Sequence, residues 1–172
     1  MTSSALRRAF VLTASDGAAA GVRDDASGEA LQERLEALGF GVDRGLVPDD
    51  EAAIGARLRA AARDHVLVLT TGGTGLTPRD VTPQATMAVL DYEIPGLAEA
   101  MRAEGRRSTP MAALSRGVVG VIDRALVVNL PGSPRGATES FEAIVPVLEH
   151  ALDTLAGPYD HGTRPITEER RP

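Results

Sequence analysis

Apolar positions along the chain recur in two rhythms, and the two rhythms alternate. Residues 8–15, RAFVLTAS, form a short β-rich run stopped by Asp16-Gly17, which predicts a strand. Residues 29–38 place Leu31, Leu35 and Leu38 at helical intervals, with Ser27 near the start and Gly39 at the end. That spacing predicts an amphipathic helix. Residues 40–47 give a second strand, broken by Pro48-Asp49, and residues 51–63 a second helix with Ile54 and Leu58 on one face. The run HVLVLTT, ending at Thr71, is apolar throughout. A strand without polar alternation fits a sheet covered by helices on both faces, so this is the expected central strand.

The second half is less regular. PQATMAVLDY and PGLAEAMRAEG both read as helices, each opened by a Pro suited to a first helical turn. Residues 118–130 read as two β segments about Asp123-Arg124, a hairpin or strand pair. Residues 133–156 carry one long amphipathic pattern through Phe141, Ile144, Val145, Leu148, Leu152 and Leu155, ended by Gly157-Pro158. Residues 159–172 are polar and read as a mobile tail. With no internal repeat and no dividing linker, the expectation is one domain over residues 1–157 and a disordered tail over 158–172.

Composition then removes classes of chemistry. A 172-residue chain with 43% hydrophobic content supports one ordinary core. Its net charge of -6 argues against a nucleic-acid or anionic-membrane coat, which selects a basic face. No apolar run approaches the ~20 residues of a membrane span, and the apolar stretch before Asp16 is too short for a signal peptide. The expectation is a cytoplasmic protein without nucleic-acid or membrane partners. Cys is absent, which excludes disulfides, thiolate nucleophiles and Cys-bound metals. Lys is absent too, all 18 basic residues being Arg, so there is neither a Schiff base nor a Walker P-loop lysine. His65, His150 and His161 lack ligand spacing, so no His metal site is expected.

The chemistry concentrates in residues 69–86, LTTGGTGLTPRDVTPQAT, directly behind the central strand. A Gly-rich turn at the carboxyl end of a buried parallel strand lies where open α/β sheets bind ligands. Gly72, Gly73 and Gly75 let backbone amides converge on an anion, with Thr71 and Thr74 adding hydroxyls, and phosphate is the expected anion. Asp80 beside phosphates suggests Mg²⁺, which is commonly held by one or two carboxylates plus phosphate oxygens. Taken alone, TGGTG also fits a plain tight turn, Asp49 a helix cap, and Pro131-Gly132 a bare turn. ASDG at 14–17, VPDD at 47–50 and NLPGSP at 129–134 also follow strands, so four such loops are expected along one sheet edge.

TTGGTGLTPRDVTPQAT, the upstream VPDDEAAI, ALSRG at 113–117 and the NLPGSP turn resemble, in order and spacing, the molybdopterin adenylyltransferase family of molybdenum cofactor biosynthesis. This is the MogA/MoaB group, related to the G domains of plant Cnx proteins and gephyrin. The resemblance implies a three-layer α/β/α sandwich with a mostly parallel mixed sheet, a homotrimer, and hand-over of product to a molybdenum insertase. It implies transfer of AMP from Mg-ATP to molybdopterin, giving adenylylated molybdopterin and pyrophosphate. Residue by residue, Asp49 and Asp80 match the two essential aspartates, which would also hold Mg²⁺. Thr71, Gly72, Gly73, Thr74 and Gly75 match the nucleotide loop, and Pro131 with Gly132 the turn on the adenosine side. Thr109, Ser115 and Arg116 fall where the family contacts the pterin and its phosphate, and Asp16 and Gly28 match its SD and SG elements. Arg23 departs from the pattern, because many relatives carry an aromatic residue there.

In-line attack of a phosphate monoester on the α-phosphorus of ATP requires two polyanions to meet, so charge must be neutralised. The residues available for that are Asp49 and Asp80 with Mg²⁺, the glycine-loop amides, and Arg116 or Arg79. Two rival readings are a non-catalytic trimeric molybdopterin-binding paralogue, against which both aspartates speak, and a different enzyme built on the same domain.

Overall fold

The computed structural model describes residues 6–157; the tail expected at 158–172 lies outside them. Six strands form one sheet in the order β2-β1-β3-β6-β5-β4. They are β1 (Arg8–Ala14), β2 (Gly41–Val47), β3 (Leu67–Thr71), β4 (Tyr92–Glu93), β5 (Val119–Ile122) and β6 (Ala125–Leu130). The first four in that spatial order run parallel, while β5 is antiparallel to both β6 and β4. The expected mostly parallel mixed sheet is therefore present.

Alternation within the strands builds two cores. Ala9 and Val11 of β1, Leu67 and Leu69 of β3, and Leu126 and Val128 of β6 face one side. There they meet α2 (Ala26–Ala37), α5 (Pro95–Ser108), α6 (Pro134–Glu142) and α7 (Val145–Ala156). Phe10, Leu12, Val68 and Val127 face the other, against α3 (Glu51–Asp64) and α4 (Thr82–Met87). A fully buried Leu contributes about 1.5–3 kcal/mol, and a one-residue register slip would exchange the two faces, so the sequence pins the pairing.

Three elements differ from the sequence expectation. The pattern over 133–156 is two helices, because Pro146 enters the first turn of α7. Its ring cannot follow an unbroken helix through residue 142, so the chain reorients at Ala143-Ile144. PQATMAVLDY is helical only to Met87, after which Asp91 and Ile94 donate to Val121 and Val119 and draw β4 onto the edge of β5. Helix α2 starts at Ala26 rather than residue 29, because Asp25 caps it by accepting from Gly28 N at 3.0 Å. A four-residue helix α1 (Asp16–Ala19) and a 3-10 turn (Pro110–Leu114) are additional.

Candidate active site

Because β1, β2, β3 and β6 are parallel, their carboxyl ends reach one edge and the four expected loops gather there. They surround an open cleft of about 450 Å³, lined by Ser15, Asp49, Gly72, Gly73, Asp80 and Gly132 among others. The glycines are steric necessities. At Gly72, φ is 97° and a Cβ would stand 2.4 Å from the Ala14 carbonyl oxygen; at Gly73, φ is 65° and a Cβ would stand 2.3 Å from Thr82 Oγ1.

Not every expected donor of the loop is open. Gly72 N donates to Leu130 O at 3.2 Å, and Thr71 Oγ1 donates to Pro131 O at 2.7 Å. These bonds tie the glycine loop to the NLPGSP turn, and the Gly75 amide is engaged with the Asp80 carboxyl. The Gly73 amide, in the cleft wall, is the one left for a ligand among these three glycines of the described loop.

The two aspartates are positioned by different means. Asp50, not Asp49, caps α3, accepting from Ala53 N at 2.8 Å. Asp49 is thereby released from the capping role and turns to the cleft. It is fixed by a reciprocal pair in which Asp16 N donates to Asp49 Oδ2 and Asp49 N donates to Asp16 Oδ1, both at 3.0 Å. Arg79, from the glycine-loop segment, forms an ion pair with Asp16. The Asp16 carboxyl is held below the usual range, first by the Asp49 backbone bond and then by Arg79. Asp80 Oδ2 accepts from Thr77 N at 2.8 Å and Thr77 Oγ1 at 2.7 Å. Burial alone would push the Asp80 carboxyl up, but the Thr77 and Gly75 bonds and the Arg116 charge outweigh it and hold it low. Both acids flank the glycine loop: a Cβ on Gly73 would lie 3.5 Å from Asp49 Oδ1, and one on Gly75 would lie 3.0 Å from Asp80 Oδ2.

The remaining candidates divide between brace and rim. Each nitrogen of the Arg116 guanidinium is engaged, Nε with Gly75 O at 2.7 Å, Nη1 with Gln84 Oε1 at 3.2 Å and Nη2 with Asp80 O at 2.6 Å. Arg116 N also donates to Thr74 O at 3.0 Å, with Thr74 buried. In this geometry Arg116 braces the glycine loop and the Asp80 turn from behind. Thr109 caps the 3-10 turn, and Ser115 ends it, its Oγ accepting from Gly117 N at 3.4 Å. Ser115 and Pro131 share a small separate crevice, so neither they nor Thr109 line the cleft that holds Asp49 and Asp80. Gly28 supports rather than lines, since a Cβ there would sit 2.2 Å from Asp25 Oδ2.

Sequence reading missed Asn129, Thr82 and the acids Asp24 and Asp25. Asn129 is fully buried, donates to Thr70 Oγ1 at 3.0 Å and Thr86 Oγ1 at 2.9 Å, and accepts from Val118 N at 3.3 Å. It locks the central strand to α4 and to the loop entering β5. A polar residue inside the apolar run VVNL was the available signal. Asp25, paired with Arg44, and its neighbour Asp24 line the cleft from the α1–α2 loop.

A family model described as "Probable molybdopterin binding domain" matches residues 10–150. The chain belongs to this molybdopterin-binding family. The match spans all four loops of the cleft. A Helicobacter pylori protein named molybdopterin adenylyltransferase is 38% identical over 156 residues, covering 87% of this chain and 88% of that one. Among solved structures, the molybdopterin biosynthesis enzyme MoaB from Thermus thermophilus is 52% identical with a TM-score of 0.82, covering 88% of this chain and 98% of that one. The molybdopterin biosynthesis Mog protein from Mycobacterium ulcerans is 43% identical with a TM-score of 0.82, covering 87% and 99%. Among the described residues of this molybdopterin-binding domain, no helix is long and apolar enough to cross a membrane.

Proposed function

We propose that this chain is a molybdopterin adenylyltransferase, an enzyme that uses Mg-ATP to activate molybdopterin during molybdenum cofactor biosynthesis. The observation that carries the reading is the placement of Asp49 beside Gly73 and Asp80 beside Gly75, at the two ends of the glycine loop, in a family whose relatives bear that activity in their names. A terminal phosphate oxygen of molybdopterin attacks the α-phosphorus of ATP, the α–β bond breaks, and pyrophosphate leaves. No general base is required, because a phosphate dianion is already nucleophilic at neutral pH.

Within that reaction the Gly73 amide binds a phosphate oxygen, while Thr71, Gly72 and the Pro131-Gly132 turn hold the loop's shape for the nucleotide. Thr74 and Gly75 act through Arg116, and Thr109 and Ser115 belong to the pterin side at the separate crevice. Among the described residues no three His, Cys, Asp or Glu side chains converge on a metal site, so those residues alone build no cage. The donor set still fits Mg²⁺: Asp49 Oδ1 carries no hydrogen bond among the described residues and borders the Gly73 turn, and this ion takes one or two carboxylates with the rest of its shell from phosphates and water. When bound it would neutralise phosphate charge, with Asp49 and Asp80 as its holders.

The proposed unit is a single domain and the assembly a homotrimer, an interface for which the exposed Leu76, Met87, Tyr92, Met111 and Leu114 are available. Light scattering decides the assembly, a mass near the 17.9 kDa of one chain ruling out the trimer. Incubating the purified protein with molybdopterin and Mg-ATP, then separating products by chromatography, tests the reaction. Adenylylated molybdopterin and pyrophosphate in equal amounts are expected. Tight molybdopterin binding with no AMP transfer would instead identify a binding-only paralogue.

A further inference from the structure

The cleft poses an electrostatic problem for polyanionic substrates. Asp24, Asp49 and Asp80 all line it, and none takes part in an ion pair among the described residues. The nearby cations are already committed. Arg44 pairs with Asp25, Arg79 with Asp16, and Arg116 holds the carbonyl oxygens of Gly75 and Asp80.

Arg23 is the exception. It lines the cleft, it is exposed, and its guanidinium has no hydrogen bond or ion pair among the described residues. Its backbone is nevertheless fixed. Gly21, at φ 71°, reverses the chain after α1, and Val22 N and Arg23 N both donate to Gly17 O, at 2.9 and 3.2 Å. The side chain folds back over α1, its Cβ 3.4 Å and its Nε 3.7 Å from where a Cβ on Gly17 would stand. The stem lies at packing distance from Gly17 of α1, so the cation is carried on an anchored turn at the cleft mouth.

We propose that Arg23 is a phosphate-binding residue of this site, supplying the free positive charge that Arg79 and Arg116 do not. The inference rests on the adenylyltransferase reading. A guanidinium remains charged across the working pH range, and its planar fork matches two oxygens of one phosphate group. The group it takes is a terminal phosphate, present both in the nucleotide polyphosphate and in the phosphomonoester of molybdopterin. Position at the rim assigns Arg23 to binding rather than to the bond being broken.

Steady-state kinetics of wild type, Arg23→Gln and Arg23→Lys, with Mg-ATP and molybdopterin varied in turn, test this. A charge-assisted hydrogen bond lost from a solvent-facing site is expected to raise one KM by about tenfold in Arg23→Gln. The value of kcat should change less than twofold, and Arg23→Lys should recover part of the loss. The KM that rises names the phosphate, nucleotide or pterin, and either result supports the assignment. Unchanged KM values for both substrates overturn it. Calorimetric titration of the same proteins with Mg-ATP and with molybdopterin gives the comparison without turnover. If the wild type makes no product, the reaction is wrong, while weaker binding by Arg23→Gln still supports the phosphate role and equal binding still overturns it.

Discussion

The two ends of the parallel strands differ in which acids are left without a cation. Where β1 and β2 begin, Asp43 meets Arg8 and the buried His65, whose Nε2 lies 2.7 Å from its carboxylate. The His65 ring also packs T-shaped against Phe10, and Arg57 covers the Phe10 ring at 4.5 Å. Where the strands finish, Asp16 and Asp25 are paired with Arg79 and Arg44, but Asp49 and Asp80 have backbone and hydroxyl donors and no ion pair among the described residues, and Asp24 stands beside them. Acids neutralised from within brace a fold. Acids oriented by neutral donors keep charge available for a ligand, at some cost in self-repulsion.

The sharpest way to break that contrast is Asp80→Asn, which keeps the shape but removes the charge and one oxygen acceptor. Loss of one transition-state electrostatic contact typically lowers turnover ~10²- to 10³-fold, about 3–4 kcal/mol. Melting temperature should fall only modestly, since Asn keeps an acceptor for Thr77 while losing the charge that the Thr77 and Gly75 bonds and Arg116 favour. A near-normal rate with early melting would make Asp80 a loop brace and move it to the other side of the comparison.

Much of this contrast was legible in the sequence. Strands ending in ASDG, VPDD, TTGGTG and NLPGSP announce loops on one edge, and the parallel sheet delivers them there. Which of two adjacent acids would cap α3 was not legible, because Asp49 and Asp50 have equal capping chemistry and only the path out of β2 decides between them. Nor was the split of the arginines, because Arg23, Arg79 and Arg116 differ only in what lies opposite them. The break at Pro146 was written in the chain, but the apolar spacing from Phe141 to Leu155 masked it.

A second test, of smaller size, uses Thr82. Its Oγ1 is buried beneath Gly73 without a hydrogen-bond partner among the described residues, whereas at the opposite end both His65 ring nitrogens are engaged. Leaving a buried hydroxyl unpaired costs about 1–3 kcal/mol, and an isosteric apolar replacement removes that penalty. Thr82→Val is therefore expected to stabilise by about 1 kcal/mol, a rise of roughly 2–4 °C in Tm for a chain of this size. A drop in Tm would mean that the hydroxyl is satisfied in solution, and that the site end is as well paired as its opposite.

The smallest effect belongs to Asp43, and it carries a pH signature. The His65 hydrogen bond first and the Arg8 bond second hold its carboxyl below the usual range, outweighing the opposing push of burial. A carboxyl whose pKa is lower folded than unfolded stabilises the fold above its ordinary value of about 3.9, and loses that contribution as pH falls through the lowered folded value. Asp43→Asn keeps an oxygen for His65 but cannot titrate. Its Tm should lie below wild type at neutral pH, and the gap should close as pH drops below about 4. Because the Asp43 side chain is 47% exposed, solvent screening keeps the gap under ~1 kcal/mol. Adenylylation should proceed at the wild-type rate, since the residue is at the opposite end of the strands from the cleft. A gap that persists at acid pH, or a loss of turnover, would show that the two ends are not the separate devices their charge pairing indicates.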